Sequence, residues 1–201
     1  MGRHKTVPDE QILLQARQVF LEHGAFGSTK EIARRAGISE STLFQRYPTK
    51  PALFLAAMVP PDIDIDVIMA GCREEPDVRL AVVGIGLRML DYFRQLIPVL
   101  LQLLTHPSIN IGDISAHFHR SPPQALTDAL AAFLDEAGER GDIAKQNNLA
   151  VAGLFISAIH SLPLFELTGV HGGGKMDPLV VAFVDVLWRG MQPPVNTATR
   201  T

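Results

Sequence analysis

Apolar residues recur at helical spacing along nearly the whole chain, and no stretch alternates with the period of two that a half-buried strand requires. Ile12, Ala16, Val19 and Phe20 fall at i, i+4, i+7 and i+8, one face of a helix that stops at Gly24. A chain built this way can hide its apolar surface only by packing helix on helix, so the expected fold class is all-α. Its 201 residues are enough for a sizeable core without covalent staples. A hydrophobic share of 47% excludes disorder over most of the length. The single cysteine, Cys72, can form neither an internal disulfide nor a zinc cluster, which suits a reducing compartment. The opening MGRHKTVPDEQ has no apolar run, so no secretory signal is expected and the cytoplasm is the expected location.

The stops and starts divide the chain. Ser28 followed by Glu31 fits a capping box, with Glu31 reaching back to the cap, and opens a helix whose buried face is Ile32, Ala33 and Ala36. Gly37 supplies the positive φ of a sharp turn, and Ser39 caps a short helix, Glu40–Arg46, with Leu43 turned inward. A fourth helix, bracketed by Pro48 and Pro51, carries Leu53, Phe54 and Ala57. Pro60-Pro61 closes this head, giving an expected domain over 1–60, a helical body over 61–191 and a frayed polar tail over 192–201. Body helices are expected at 62–75, 77–104, 121–139, 147–168 and 177–191, with Asp77 as one cap and Ser121-Pro122 and Asp177-Pro178 as cap plus first-turn proline. Pro98 should kink the longest of them.

Two short helices joined at Ala36-Gly37-Ile38-Ser39 make a helix-turn-helix, the second exposing Glu40, Ser41, Thr42, Gln45 and Arg46. Such a helix fits the major groove, where glutamine addresses adenine and serine or threonine address several base edges. Thr29, Lys30, Arg46, Tyr47 and Lys50 are candidates for phosphate. Charge agrees in direction: residues 1–50 hold eight Lys and Arg against five acids, while 51–201 hold ten against sixteen.

These residues carry a family pattern. Ile12, Ala16 and Phe20, then Glu22 and Gly24, then Ser28-Thr29, Glu31-Ile32-Ala33 and Ala36-Gly37-Ile38-Ser39, then Ser41-Thr42-Leu43-Phe44, Arg46-Tyr47, Lys50 and Leu53-Phe54 resemble the N-terminal domain of the TetR family of bacterial transcriptional regulators over about residues 8–57. The resemblance implies an N-terminal helix-turn-helix DNA-binding domain on a larger helical ligand-binding and dimerisation domain. It places Thr29 and Lys30 at phosphate, Ser39, Glu40, Ser41 and Thr42 at the start of the recognition helix, and Phe44, Gln45, Arg46 and Tyr47 at its close, with Lys50 opening the next helix. Phe44 stands where the family most often has tyrosine, and Ser41 where glycine is common.

The implied partners are a pseudo-palindromic double-stranded operator, a largely apolar small effector and a second copy of the chain. No cofactor, metal or catalytic residue is expected. Helices 147–168 and 177–191 are apolar around much of their circumference, so Leu149, Ala152, Phe155, Ile156, Ile159, Leu179, Phe183 and Leu187 are the expected dimer surface. Met69, Met89, Tyr92, Phe93, Leu100, His106, Phe118 and Phe155 are the expected pocket lining. The competing reading is a helical small-molecule carrier whose head binds no DNA.

Other chemistry fails on its details. Gly169 to Lys175 fits GxxxxGK, but Met176 follows where a phosphate loop needs a hydroxyl for magnesium, and the segment before it reads helical. Asp62, Asp64 and Asp66 open like a calcium loop that then lacks its glycine and its closing glutamate, and they fit better as caps. His117 and His119 point apart on a helix, so neither is expected to hold a metal with His106. The uncharged run Gln146–Phe165 is interrupted by polar residues and by Pro163, and is expected to be a buried helix rather than a membrane span.

Overall fold

The computed structural model describes residues 7–59, 63–107, 109, 112, 122–170 and 172–192. Among them every regular element is helical: α1 (Asp9–His23), a 3-10 turn (Gly24–Phe26), α2 (Thr29–Ala36), α3 (Glu40–Arg46), α4 (Lys50–Ala57), α5 (Ile65–Met69), α6 (Val78–Leu104), α7 (Pro122–Arg140), α8 (Asn148–Thr168) and α9 (Asp177–Met191). The chain forms two compact units, Met1–Pro61 with Leu96–His119, and Asp62–Gln95 with Arg120–Thr201. The first therefore reaches past the Pro60-Pro61 break and takes in the last turns of α6.

The core of the first unit is a continuous apolar cluster of Ile12, Ala16, Val19, Phe20, Ile32, Leu43, Leu53, Phe54 and Met58, joined by Val99 and Leu103 from the end of α6. Phe54 is its hinge of ring contacts, 4.8 Å from Phe20 and 4.3 Å from His106 between centroids. Burial, and secondarily the nearby Lys50 charge, pull the His106 imidazole below its ordinary pKa.

The second unit packs α7 on α8, with α9 against α8 and α5 against α7. Asp77 caps α6 as expected, accepting from the Leu80 N–H at 3.2 Å. Pro98 lies inside α6 without ending it. Two expectations need correction. The helix expected over 62–75 shrinks to Ile65–Met69, capped by Asp64, because Ala70 turns to extended backbone. Asp177 is not a cap: it is the first residue of α9, and its carboxylate is taken by Arg94.

Arg94 is the polar tie of this unit. Its guanidinium donates to Glu166 at the end of α8 (2.7 Å), to Asp177 at the start of α9 (2.5 Å) and to Asp91 on its own helix (2.8 Å). Glu166 also accepts the Met176 N–H at 2.8 Å. The Arg94 hydrogen bonds hold both Glu166 and Asp177 below the usual carboxylate range and raise Arg94 further. A second tie joins Arg79 to Asp185 on α9.

Where α6 meets α8 and α9, Gly86 is required by space. A Cβ there would lie 2.7 Å from both the Phe155 ring and Val180 Cγ1. Gly86→Val is accordingly expected to destabilise the protein by about 1–3 kcal/mol through overpacking, checked by urea denaturation.

The apolar circumference of α8 divides. Ala152, Phe155, Ile156 and Ile159 are buried within the chain itself, so they pack the unit and are not surface for a second copy, which corrects that part of the sequence expectation. Leu149 and Leu154 on α8, and Val181 and Val186 on α9, are exposed, while Leu179, Phe183 and Leu187 are half-buried. By length and composition α8 is a helix that can cross a membrane, but its inner side is already covered by its neighbours. Beyond Gln192, the expected tail lies outside the described residues.

Candidate nucleic-acid interface

Local signals place the recognition helix. Ser28 Oγ accepts from the Glu31 N–H at 3.4 Å and starts α2. Gly37, at φ 71°, turns the chain in the left-handed region that a side chain disfavours, and its N–H closes on Arg34 O. Ser39 Oγ then accepts from the Thr42 N–H at 3.1 Å and starts α3. Leu43, fully buried, pins α3 to the core, so the opposite side of the helix must face outward.

That outer side carries Glu40, Ser41 and Gln45, all exposed, and Phe44, 37% exposed. Thr42 is half-buried and its hydroxyl lies 2.7 Å from Ser39 Oγ, which is also 2.8 Å from Ser41 Oγ. Lys30 is exposed, and Lys50 is half-buried at the start of α4. The ring of Tyr47 packs against the core, and burial pushes its phenol pKa up.

Several expected contacts are already occupied. Glu31 does not return to the Ser28 N–H; it ion-pairs with Arg34 at 2.7 Å and Arg35 at 2.8 Å, which lowers its pKa to about 2. Arg35 also binds Glu22 at 2.9 Å. Arg46 is not directed at solvent: it donates to Val7 O at 2.6 Å and to Asp9 at 2.9 Å, tying α3 to the start of α1. Thr29 donates its hydroxyl to Glu40 Oε1 at 2.5 Å. The Glu31 pairs follow the i,i+3 and i,i+4 spacing of one helix, whereas no sequence signal marked the pairs of Arg35 with Glu22, Arg46 with Asp9 or Thr29 with Glu40, which join different helices. Arg3, His4 and Lys5, whose basic character also suits phosphate, lie outside the described residues.

The expected pocket-lining residues are divided between the two units. Leu100 and His106 belong to the first unit and pack on its core; Met89, Tyr92 and Phe93 are buried in the second. Phe118 lies outside the described residues. A cavity of about 10 Å³ in the second unit is lined by Val82, Leu130, Leu134, Val151, Phe155, Val184, Leu187, Trp188 and Met191, so Phe155 alone of the expected set faces it. That is room for about one water molecule, with only apolar walls. Burial raises the Cys72 thiol pKa, which makes it a poor redox centre. Among the described residues no three His, Cys, Asp or Glu side chains gather as metal ligands; His117 and His119 lie outside them.

Residues 12–57, the segment that builds this interface, match the family model described as bacterial regulatory proteins, tetR family. Over 152 residues the chain is 26% identical to the uncharacterized HTH-type transcriptional regulator YvkB of Bacillus subtilis, covering 75% of this chain and 78% of that protein. The fold is shared with a TetR-family transcriptional regulator from Mesorhizobium loti at a TM-score of 0.69 and 17% identity, covering 92% of this chain and 96% of that one. It is also shared with the transcriptional regulator FadR from Bacillus subtilis in complex with stearoyl-CoA, at a TM-score of 0.61 and 15% identity, covering 91% and 99%. The helix-turn-helix with its second helix turned outward is the part of the chain that is similar to the TetR family of bacterial transcriptional regulators, and the all-helical fold is shared with regulators of that family.

Proposed function

We propose that this regulator is a ligand-responsive repressor, acting in the cytoplasm as a homodimer on a pseudo-palindromic operator. The head, residues 1–60, binds DNA, and the body, residues 61–191, binds the effector and the second copy. The observation that carries this reading is the outer side of α3, where Ser41 and Gln45 stand exposed on a helix pinned from behind by Leu43. Gln45 reads a base edge, with Ser41 beside it; Lys30 and Lys50 set register through phosphate. The exposed apolar side chains Leu149, Leu154, Val181 and Val186 support dimerisation through α8 and α9. Two such heads would enter major grooves roughly 34 Å apart.

An apolar effector is supported by the wholly apolar walls of the cavity around Phe155 and Trp188. The related fold of FadR holds stearoyl-CoA. A coupling of about 1–3 kcal/mol would suffice to weaken operator binding roughly 5–150-fold. Because the cavity is small as it stands, the effector-binding state requires side chains to move apart.

Selection of bound sequences from random duplex DNA tests the reading: two inverted half-sites should emerge, and a pool no different from the input would sink it. Gln45→Ala is expected to lose about 1–3 kcal/mol on the selected site and to relax one base preference. Lys30→Ala should weaken all sequences alike and lower the salt slope by about 0.9 per head, read by titrating binding against ionic strength.

A further inference from the structure

The DNA-facing end of α3 carries a carboxylate, and a polyanion is a poor partner for one. Glu40 is exposed and, among the described residues, has no ion pair, although the arginines nearby are paired with Glu22, Glu31 and Asp9. Its side chain is nevertheless held. The Thr29 hydroxyl, at the start of α2, donates to Oε1 at 2.5 Å, which fixes the carboxylate across the turn of the motif and leaves Oε2 unoccupied by any such bond.

We propose that Glu40 is a specificity-determining residue that accepts a hydrogen bond from the N4 amine of a cytosine in each half-site, with Thr29 as its positioning residue. This rests on the DNA-binding reading above. A bare carboxylate brought against a groove is repelled by phosphates and by base-edge acceptors unless a donor faces it. In the major groove only cytosine N4 and adenine N6 present exocyclic amines. Adenine sets the N7 acceptor directly beside its amine, whereas cytosine does not, so the carboxylate selects cytosine. At thymine O4, or guanine O6 and N7, acceptor meets acceptor, and Glu40 rejects the site. Thr29 spends its only hydroxyl proton on this bond, so its part in the interface is orientation of Glu40 rather than donation to phosphate.

The test compares the full chain with Glu40→Ala, Thr29→Val and Thr29→Ser on the selected duplex, on duplexes changed at single positions, and on random duplex, by fluorescence anisotropy. Thermal melting checks that each variant is folded. The wild-type chain should prefer cytosine at one position of each half-site by about tenfold. Glu40→Ala should lose that preference and bind changed and random duplexes more tightly than the wild type does. Thr29→Val should blunt the preference at that same position only, and Thr29→Ser should restore it. A Glu40→Ala protein that keeps the cytosine preference overturns the assignment while leaving DNA binding intact, and a wild-type preference for adenine there overturns it too. Failure of the wild type to enrich any duplex overturns both this assignment and the function on which it rests.

Discussion

Replacing Phe54 by alanine is expected to remove about 3–5 kcal/mol of stability, a large share of what a domain of ordinary size possesses. The side chain is fully buried, and its ring touches Phe20 on α1 and His106 beyond the end of α6. Deleting it loses the transfer free energy of the ring and leaves a hole between α1 and the segment that follows α6. Phe54→Leu, which keeps most of the volume, should cost far less, below about 1.5 kcal/mol. Urea denaturation of both variants measures the contrast. Equal, small losses would mean that the segment bearing His106 collapses into the gap. Because the same core positions α3 through Leu43, the alanine variant should also bind its duplex weakly at temperatures where the leucine variant still binds.

The Arg94→Ala variant should show the second large effect, and its size depends on pH. In the wild type the guanidinium depresses the pKa of Glu166 and Asp177. A folded-state pKa below the unfolded value means that the stabilisation is fully present above the ordinary carboxylate pKa, roughly 4, and is lost as pH falls through the depressed folded value. Removing Arg94 leaves Asp91, Glu166 and Asp177 around an uncompensated site. The expected loss at neutral pH is about 2–3 kcal/mol, less than the roughly 3–5 kcal/mol of a fully buried pair, because the Asp177 side chain is 39% exposed and solvent screens it. Protonating the carboxylates relieves their repulsion in the variant and destabilises the wild type, so the gap should narrow as pH drops below about 4. Denaturation curves at neutral and acid pH decide it; a gap independent of pH would show that Arg94 acts through packing of its alkyl stem alone.

How much of this was readable in the sequence follows from how local each signal is. Ser28, Ser39 and Asp77 act within three residues of themselves, and their caps stand where the sequence places them. Gly37 and Leu43 likewise answer to spacing alone, so the motif and its outward helix were legible. What was not legible joins distant positions. Nothing in the sequence pairs Arg94 with Glu166 and Asp177, or Arg46 with Asp9, because each is an ordinary surface type on its own helix. Asp177 before Pro178 looks like a cap until Arg94 claims it. On α8 the apolar residues run around the helix, so periodicity cannot choose which of them face inward; the structure buries Phe155 and Ile156 and exposes Leu149 and Leu154. Leu100 and His106 read as body residues because α6 is continuous, yet its last turns serve the core of the head.

The internal pairing of Arg34, Arg35 and Arg46 bears on how such a protein behaves inside a cell. Counterion release scales with the number of phosphates neutralised, so on the DNA-binding reading a head with these three arginines already paired would grip arbitrary sequence weakly. Little of the population is then sequestered at irrelevant sites. On the proposed reading, a modest number of molecules per cell would keep a single operator occupied.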